Sequence, residues 1–268
     1  MPAVQYILDS PVPECLPLPF ILFAAFWLGA VLGSFAACTG ERLADGRSLA
    51  GRSRCPSCQK TLSAWQLAPV LGFFALKGRC AFCQAPIPRA SLVWECVMGA
   101  ASALLVLKGV LLGAPLLHAL LLILFFAALA AAAETDRRCL FLPDNLLLAA
   151  LIPLLFLALA GGLPWANLLW GLAGAALFLA VRLAWKKRLK KEALGLGDVK
   201  LIFIAGLAAG PGIFCAVLAA SLAALAAVRC RPLKDALPAG CGDGGGQMPF
   251  GPFLAAGTCL AVLLQGLF

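Results

Sequence analysis

The sequence Gly195-Leu196-Gly197-Asp198-Val199-Lys200 places one carboxylate at the start of an apolar segment, residues 201–209. A charged side chain at the centre of a membrane helix costs about 2.5–3.5 kcal/mol on insertion scales, so this Asp is expected to have a chemical role or a partner. The two glycines before it allow a tight turn or the close approach of a substrate backbone. A second acidic cluster, with Asp136 and Asp144, lies at the edge of another apolar segment. We therefore predict that Asp136 and Asp198 meet and perform acid–base chemistry together.

The composition excludes an ordinary soluble globular protein. Of the 268 residues, 63% are hydrophobic and only 12% are charged, whereas soluble domains have about 25% charged residues. A membrane-spanning helix needs about 20 apolar residues, and Gly210-Pro211-Gly212 interrupts one overlong run. We predict an all-α polytopic membrane protein with about eight transmembrane helices. Their segments are 18–38, 92–112, 116–133, 145–162, 166–184, 200–210, 211–228 and 250–267.

The positive charges are distributed asymmetrically between these segments. With eight crossings, every Lys and Arg except Lys108 falls on the side that carries residues 39–91. Loops rich in Lys and Arg remain in the cytosol, so this distribution puts those loops inside and both termini outside. The net charge of +9 is thus interpreted as a topology signal next to membrane lipid, with no nucleic-acid partner. Residues 1–17 contain no basic residue, which predicts a retained first helix and no cleavable signal peptide.

The longest polar stretch, residues 39–91, contains Cys55-Pro56-Ser57-Cys58 and Cys80-Ala81-Phe82-Cys83. Two C-x-x-C pairs near this spacing are typical of zinc ribbons, in which four thiolates hold one zinc ion tetrahedrally. The alternatives are two disulfides, disfavoured in a reducing cytosol, or four thiols without a ligand. We predict a small cytosolic four-Cys zinc-binding domain between the first two membrane helices. The apolar residues 64–76 between the pairs are too few to span a bilayer and are expected on its surface.

The candidate aspartates also have structural explanations. Asp144 and Asp198 can each cap a helix, and Asp136 can pair with Arg137 or Arg138. However, the fourth and fifth helices leave the cytosolic face and return to it, so Asp136 and Asp198 lie at the same membrane depth. Two carboxylates in a partly dry site share a proton. The ionised one can then activate water while the protonated one polarises a carbonyl, as in aspartic proteases.

The only histidine, His118, is expected at the outer end of the third membrane helix. Its position excludes a Ser-His-Asp or Cys-His site on the cytosolic side, because such sites need an imidazole there.

In order and spacing, these motifs resemble those of the bacterial prepilin peptidases of type IV pilus and type II secretion systems. The resemblance runs almost from end to end. It includes Gly33-Ser34-Phe35, the two C-x-x-C pairs, Glu95, Asp136 eight residues before Asp144, Gly195-x-Gly197-Asp198-x-Lys200 and Pro249-Phe250-Gly251-Pro252.

The resemblance implies an inner-membrane aspartic peptidase of the GxGD class whose catalytic pair is Asp136 and Asp198. Such enzymes cut the short basic leader from prepilins or pseudopilins on the cytosolic side, typically between Gly and Phe. Many also methylate the new N-terminus with S-adenosylmethionine, and the four-Cys domain is associated with that form. The chain would then divide into the N-terminus with the first helix (1–38), the zinc-ribbon-like domain (39–91) and the peptidase domain (92–268). The expected supporting residues are Glu95, Asp144, Gly195, Gly197 and Lys200.

The chain differs from that family in Glu134-Thr135, where an apolar dipeptide usually precedes the first aspartate, and in Arg138, where an Asp is common. The alternative to an enzyme is a membrane scaffold or carrier whose zinc ribbon docks a cytosolic partner. A carrier favours an internal repeat with broken helices at the membrane midplane. The sequence shows no such repeat, and its critical carboxylates lie at the membrane boundary, so the enzyme is preferred.

Overall fold

The structure is a computed structural model, and it describes residues 17–189, 195–230 and 249–265. Within these ranges the chain is almost entirely helical, which confirms the predicted all-α membrane architecture. The prediction about a signal peptide falls on residues outside them, apart from residue 17. The described α-helices are α1 (Leu18–Ala44), α2 (Leu71–Ala75), α3 (Arg89–Leu111), α4 (Leu116–Cys139), α5 (Asp144–Leu159), α6 (Ala166–Leu189), α7 (Leu196–Ala209), α8 (Ile213–Cys230) and α9 (Gly251–Leu264).

Prolines determine where four of these helices begin. Pro17, Pro88, Pro115 and Pro143 occupy the N-cap positions of α1, α3, α4 and α5. Proline disfavours the helical conformation in the residue before it, so the helix cannot extend further toward the N-terminus.

Helices α1, α4 and α6 continue five or six residues beyond their predicted ends. α1 ends at Ala44 and not at residue 38, and α4 ends at Cys139 and not at residue 133. The prediction stopped where the apolar residues stop. The polar ends of α1 and α4 remain helical because they pair with each other, as in the ion pair between Arg138 and Glu41 at 3.1 Å.

In the described part of the chain, five helical stretches are long and apolar enough to cross a membrane, and α5 and α9 are shorter apolar helices. One of the five, Leu196–Ala227, joins α7 to α8 across the 3₁₀ turn Gly210–Gly212. The exact number of eight crossings therefore stays a prediction.

Neighbouring helices hold the C-terminal end of α7. The Asn167 side chain donates a hydrogen bond to the Leu207 carbonyl at 3.0 Å, and the Gln265 side chain donates one to the Ala209 carbonyl. Asn167 lies at the start of α6, whereas Gln265 directly follows α9. Since both helices pack against α7, α6 runs antiparallel to it and α9 runs parallel to it.

The chain reverses its direction between α7 and α8. Gly212, at the start of α8, lies beside Ala261 of α9, and Ala216, one turn later, lies beside Gly257. The contacts move toward the start of α9 as α8 proceeds, so these two helices are antiparallel. α8 therefore returns toward the end of the molecule at which α7 and α9 begin.

The central helix of the fold is α4. It packs against α1, α3, α5 and α9, and residues 129–136 in its C-terminal half are all buried. This enclosure carries the polar residues Glu134 and Asp136 into the interior of the helix bundle.

Candidate active site and cysteine cluster

Asp136 lies in the last turn of α4 and is 6% exposed. Its Oδ2 atom accepts a hydrogen bond from the backbone N–H of Gly251, the first residue of α9, at 2.8 Å. A Cβ atom at position 251 would lie 2.8 Å from the same oxygen, so the close approach requires glycine. The first N–H groups of a helix lack intrahelical acceptors, and the helix dipole favours a negative charge at that end. The start of α9 thus stabilises an ionised Asp136.

Asp198 is the third residue of α7 and is half-buried. Its Oδ2 atom accepts a hydrogen bond from the backbone N–H of Gly195 at 3.1 Å. The predicted alternative, in which Asp198 caps the helix, is wrong in its position, because Gly195 is the N-cap residue and Asp198 binds its N–H from inside the first turn. Gly197 has a different purpose, since a Cβ atom there would lie 2.9 Å from the Cβ atom of Leu142. It lets α7 approach the connection between α4 and α5.

The two predicted aspartates lie at neighbouring helix ends, since Asp136 contacts the start of α9 and α9 also packs against α7, which carries Asp198. Their carboxylates are close enough for the charge of Asp198 to act on Asp136. The charge of Arg182 on α6 also acts on Asp198. The predicted alternative for Asp136, an ion pair with Arg137 or Arg138, is wrong because both arginines pair with Glu134.

A surface ion pair joins α7 to α5. Lys200 Nζ lies 2.7 Å from Asp144 Oδ1, and both side chains are more than half exposed. Asp144 is the first residue of α5, Pro143 occupies the N-cap position, and no side chain caps the helix. The predicted capping role of Asp144 is therefore wrong. Its contact with Lys200 instead links the start of α7 to the start of α5 at the surface.

The sequence analysis missed a buried polar network around Glu134, whose side chain is 1% exposed. Its carboxylate accepts hydrogen bonds from Arg137 Nε at 2.7 Å, Arg138 Nε at 2.7 Å and Trp94 Nε1 at 2.9 Å. Arg138 also contacts Glu41 on α1. The Glu-x-x-Arg-Arg spacing, which puts both arginines on the same helix face as Glu134, was the available signal. Glu134 therefore links α4 to α1 and α3. Because its carboxylate is engaged by these donors, it is not an alternative to Asp136 as the acid–base group.

Glu95 on α3 contacts the segment that contains the cysteines. Its Oε2 atom accepts a hydrogen bond from the Val70 N–H at 2.7 Å, and its Oε1 atom accepts one from Ser91 Oγ at 3.1 Å. Val70 has a φ of +62°, and the Leu71 N–H contacts the Pro69 carbonyl at 2.5 Å in a γ-turn. Such a backbone conformation costs about 1–3 kcal/mol and persists only where its surroundings enforce it. The hydrogen bond to Glu95 helps to hold this turn in place, and it lies apart from the two aspartates.

The four predicted ligand cysteines form one cluster. The Sγ atoms of Cys55, Cys58, Cys80 and Cys83 all lie within 4.8 Å of one another, and those of Cys55 and Cys83 are 3.7 Å apart. Zinc–sulfur bonds of about 2.3 Å in a tetrahedron imply sulfur–sulfur distances of about 3.8 Å, so the cluster fits a metal ion. All four are free thiols, and the alternative of two disulfides is wrong.

The loops around these cysteines stabilise the thiolates of Cys55 and Cys80, whereas the backbone N–H donor at Cys83 is outweighed by burial and the neighbouring thiols, which raise the pKa of the Cys83 thiol to about 11. The backbone N–H groups of Cys83 and Phe82 hold the pKa of the Cys80 thiol down at about 6. The N–H of Cys58 is the main group that lowers the pKa of the Cys55 thiol. Because thiolates are the metal-binding form of cysteine, both loops are arranged for a cation.

A cavity of about 480 Å³ lies between the end of α1, the start of α3 and the cysteine-containing residues 45–88. Its lining includes both polar and apolar side chains. The lining side chains include Glu41, Arg42, Phe73, Glu95, Glu134 and Arg138.

Comparisons with known proteins match two parts of the chain. The model of the bacterial Peptidase A24 N-terminal domain matches residues 27–109, and that of the type IV leader peptidase family matches residues 122–228. A prepilin leader peptidase/N-methyltransferase of Bacillus subtilis (strain 168) is 33% identical over 254 residues, which cover 91% of this chain and 94% of the relative. The chain belongs to the type IV leader peptidase family.

Other relatives of this leader peptidase carry the same name. One from Burkholderia pseudomallei (strain 1026b) is 34% identical over 254 residues, or 90% of this chain and 76% of the relative. One from Klebsiella pneumoniae is 35% identical over 200 residues, or 70% of this chain and 85% of the relative. No solved structure matches the chain.

The two matched regions contain different sites of the chain. The N-terminal match contains the four cysteines and Glu95, whereas the second match contains Asp136 and Asp198. Gly251, which donates to Asp136, lies beyond both matches. Only the folded chain brings it to the aspartate.

Proposed function

We propose that this protein is a membrane-embedded aspartic endopeptidase that removes the leader from type IV prepilins or pseudopilins and then methylates the new N-terminal amine. The observation that carries the proposal is the placement of Asp136 and Asp198 at neighbouring helix ends, with Asp136 bonded to the start of α9 and α9 packed against α7. Membership in the type IV leader peptidase family supports the reaction class, and the names of the relatives support the substrate and the methylation.

In the proposed mechanism, Asp136 and Asp198 share one proton and titrate as a pair. The ionised carboxylate takes a proton from a water molecule while the water oxygen bonds to the scissile carbonyl carbon. The protonated carboxyl gives its proton to the carbonyl oxygen, which forms a tetrahedral intermediate. The first carboxyl then protonates the leaving nitrogen as the carbon–nitrogen bond breaks.

We further propose that the protein lies in the bacterial cytoplasmic membrane with both aspartates at its cytosolic boundary and both termini outside. Arg137 and Arg138 directly follow Asp136, whereas Lys108 and His118 lie at the opposite ends of their helices. Positive charge on the aspartate side favours the cytosol for that side. A prepilin's apolar helix would lie in the bilayer beside the bundle while its basic leader extends into the cytosol.

The four-cysteine cluster is proposed to hold a structural zinc ion through Cys55, Cys58, Cys80 and Cys83, on the basis of its sulfur distances. Zinc would cross-link the loops that carry the two cysteine pairs, which is how such sites contribute to folding. S-adenosylmethionine is the proposed methyl donor and supplies an electrophilic methyl group when bound.

The decisive test is cleavage of a prepilin by detergent-purified protein, with intact mass as the readout. Wild type should release the leader and add one methyl group, whereas Asp136→Asn and Asp198→Asn should leave the prepilin intact. Equal cleavage by the variants would overturn the aspartate mechanism and favour a scaffold. The scaffold alternative treats the acidic residues as caps and ion-pair partners. Among the described residues Asp136 forms no ion pair, and its hydrogen bond from the first N–H of α9 is compatible with either function.

A further inference from the structure

The cavity beside the cysteine cluster has an unusual balance of charge. Glu41 pairs with Arg47 and Arg138, and Glu134 also pairs with Arg138. Glu95 is 7% exposed, yet in the described part of the chain its carboxylate meets only neutral donors, the Val70 N–H and the Ser91 hydroxyl. A buried carboxylate is costly unless a cation or several donors compensate for its lost hydration.

The same cavity also presents positive charge that has no acidic partner among the residues that the structure describes. Among the described residues, the Arg42 guanidinium donates only to the carbonyls of Leu49 and Gly51. Arg52 and Arg54 line the cavity as well and are exposed. One wall therefore suits a cation and another suits an anion, which predicts a ligand that carries both.

We propose that this cavity binds the methyl donor S-adenosylmethionine, with the Glu95 carboxylate facing the positive end of the donor and Arg42 available to its carboxylate. The proposal rests on the methyltransferase function proposed above. S-adenosylmethionine combines a sulfonium, an ammonium and a carboxylate with an adenine. A volume of about 480 Å³ lies within the range of small-molecule sites, about 300–1,000 Å³. The aromatic ring of Phe73 in the lining offers a face on which adenine can stack.

The position of the cavity suits transfer to a freshly cut substrate. Glu134 lines the cavity, and Asp136 follows two residues later on α4. A new N-terminal amine made at the aspartates thus has to pass only around the end of one helix. The neutral amine nitrogen bonds to the methyl carbon while the carbon–sulfur bond breaks, with its electron pair going to sulfur. The positive charge moves from sulfur to nitrogen. The Glu95 carboxylate can face the positive sulfur before the transfer and the positive nitrogen after it.

The test compares two ligands that differ in charge at sulfur. Binding of S-adenosylmethionine and of the neutral thioether S-adenosylhomocysteine to the detergent-purified full chain is measured by calorimetry. We expect Glu95→Gln to weaken S-adenosylmethionine binding about ten-fold or more and S-adenosylhomocysteine binding less than three-fold. A purely structural role of Glu95 would weaken both ligands equally, and that result would overturn the proposal.

The matched control is Glu41→Gln. Glu41 lines the same cavity, but its partners Arg47 and Arg138 each retain another acidic group, Asp45 or Glu134. This variant should leave the preference between the two ligands within about two-fold of wild type. A loss of preference as large as that of Glu95→Gln would show a general charge effect and contradict the assignment of Glu95.

A second measurement does not depend on a stable variant. Ultraviolet cross-linking of radiolabelled S-adenosylmethionine to wild-type protein should label peptides within residues 34–95, and labelling confined to α6–α9 would overturn the site. A preparation that cleaves prepilin but binds no S-adenosylmethionine also overturns it, and leaves the peptidase intact. A preparation that binds the donor at the cavity but cleaves nothing supports the site and contradicts the peptidase instead.

Discussion

The aspartate site and the cavity lie on two sides of the same helix end, yet they are built differently. Asp136 and Asp198 are held by backbone N–H groups at the starts of two helices, where glycine permits close contact. The cavity is enclosed partly by loops, whose positions depend on a strained turn and on four cysteines. Helices form the first site, whereas the second depends on loops that we propose zinc cross-links. The difference suggests that the two activities can be separated.

The largest expected effect is on cleavage. Asp136→Asn should lower the rate of leader removal by about 10²–10⁴-fold, because one general acid or base typically contributes that much. Single-turnover cleavage followed by mass spectrometry measures the change. Adding Asp198→Asn should cost little more, since residues that act as a unit are not additive. Asp45→Asn, an exposed acid on the cavity side, is the control. Fully additive losses would mean that the two aspartates act independently.

The next effect is on methylation. Cys80→Ser, or treatment with a chelator, should abolish methyl transfer and lower cleavage much less, because Cys80 lines the cavity, whose lining includes no residue of α7 or α9. Metal content by elemental analysis and the mass of the product measure both outcomes. Ser57→Ala, between the ligands of the first loop, is the control. Parallel loss of both activities would show that the two sites depend on each other and form one cooperative unit.

A smaller effect should follow from enlarging the start of α9. Gly251→Ala puts a methyl group against Asp136 and should slow cleavage about 100-fold, as small displacements of a reacting group do. Binding of S-adenosylmethionine should not change. The matched control is Gly109→Ala on α3, where the new methyl group meets only Ala119 at an ordinary 4.0 Å. Unchanged cleavage in Gly251→Ala would show that the hydrogen bond to Asp136 is dispensable.

The smallest effect belongs to the ion pair between Lys200 and Asp144. Both side chains are more than half exposed, so a double-mutant cycle of Lys200→Ala and Asp144→Ala should give a coupling energy of about 0.2–1 kcal/mol. Thermal unfolding in detergent provides the measurement. A coupling energy several times larger would indicate that this pair, and not the backbone contacts, holds α7 at the aspartate site.

Local patterns were sufficient for much of the fold. Runs of apolar residues predicted the apolar helices in the described part of the chain, and prolines such as Pro143 explain where several begin. The same patterns failed at the polar ends of α1 and α4, because hydropathy does not register pairing between Glu41 and Arg138. They also assigned Asp144 to a cap that the structure does not form, since a capping side chain and an ion-pair partner look alike in a sequence.

The sequence by itself determined that the chain is a helical membrane protein with an Asp at two helix ends and two cysteine pairs, because apolar run length and ligand spacing are local properties. Tertiary structure alone decided which charges are neutralised. Glu134 lies two residues from Asp136, but its carboxylate accepts hydrogen bonds from two arginines and a tryptophan. Asp136 instead accepts one from the start of α9, 115 residues away in the sequence. Likewise, Glu95 joined the cavity and not the aspartates. The chemistry of a carboxylate depends on its neighbours in space, which sequence order does not specify.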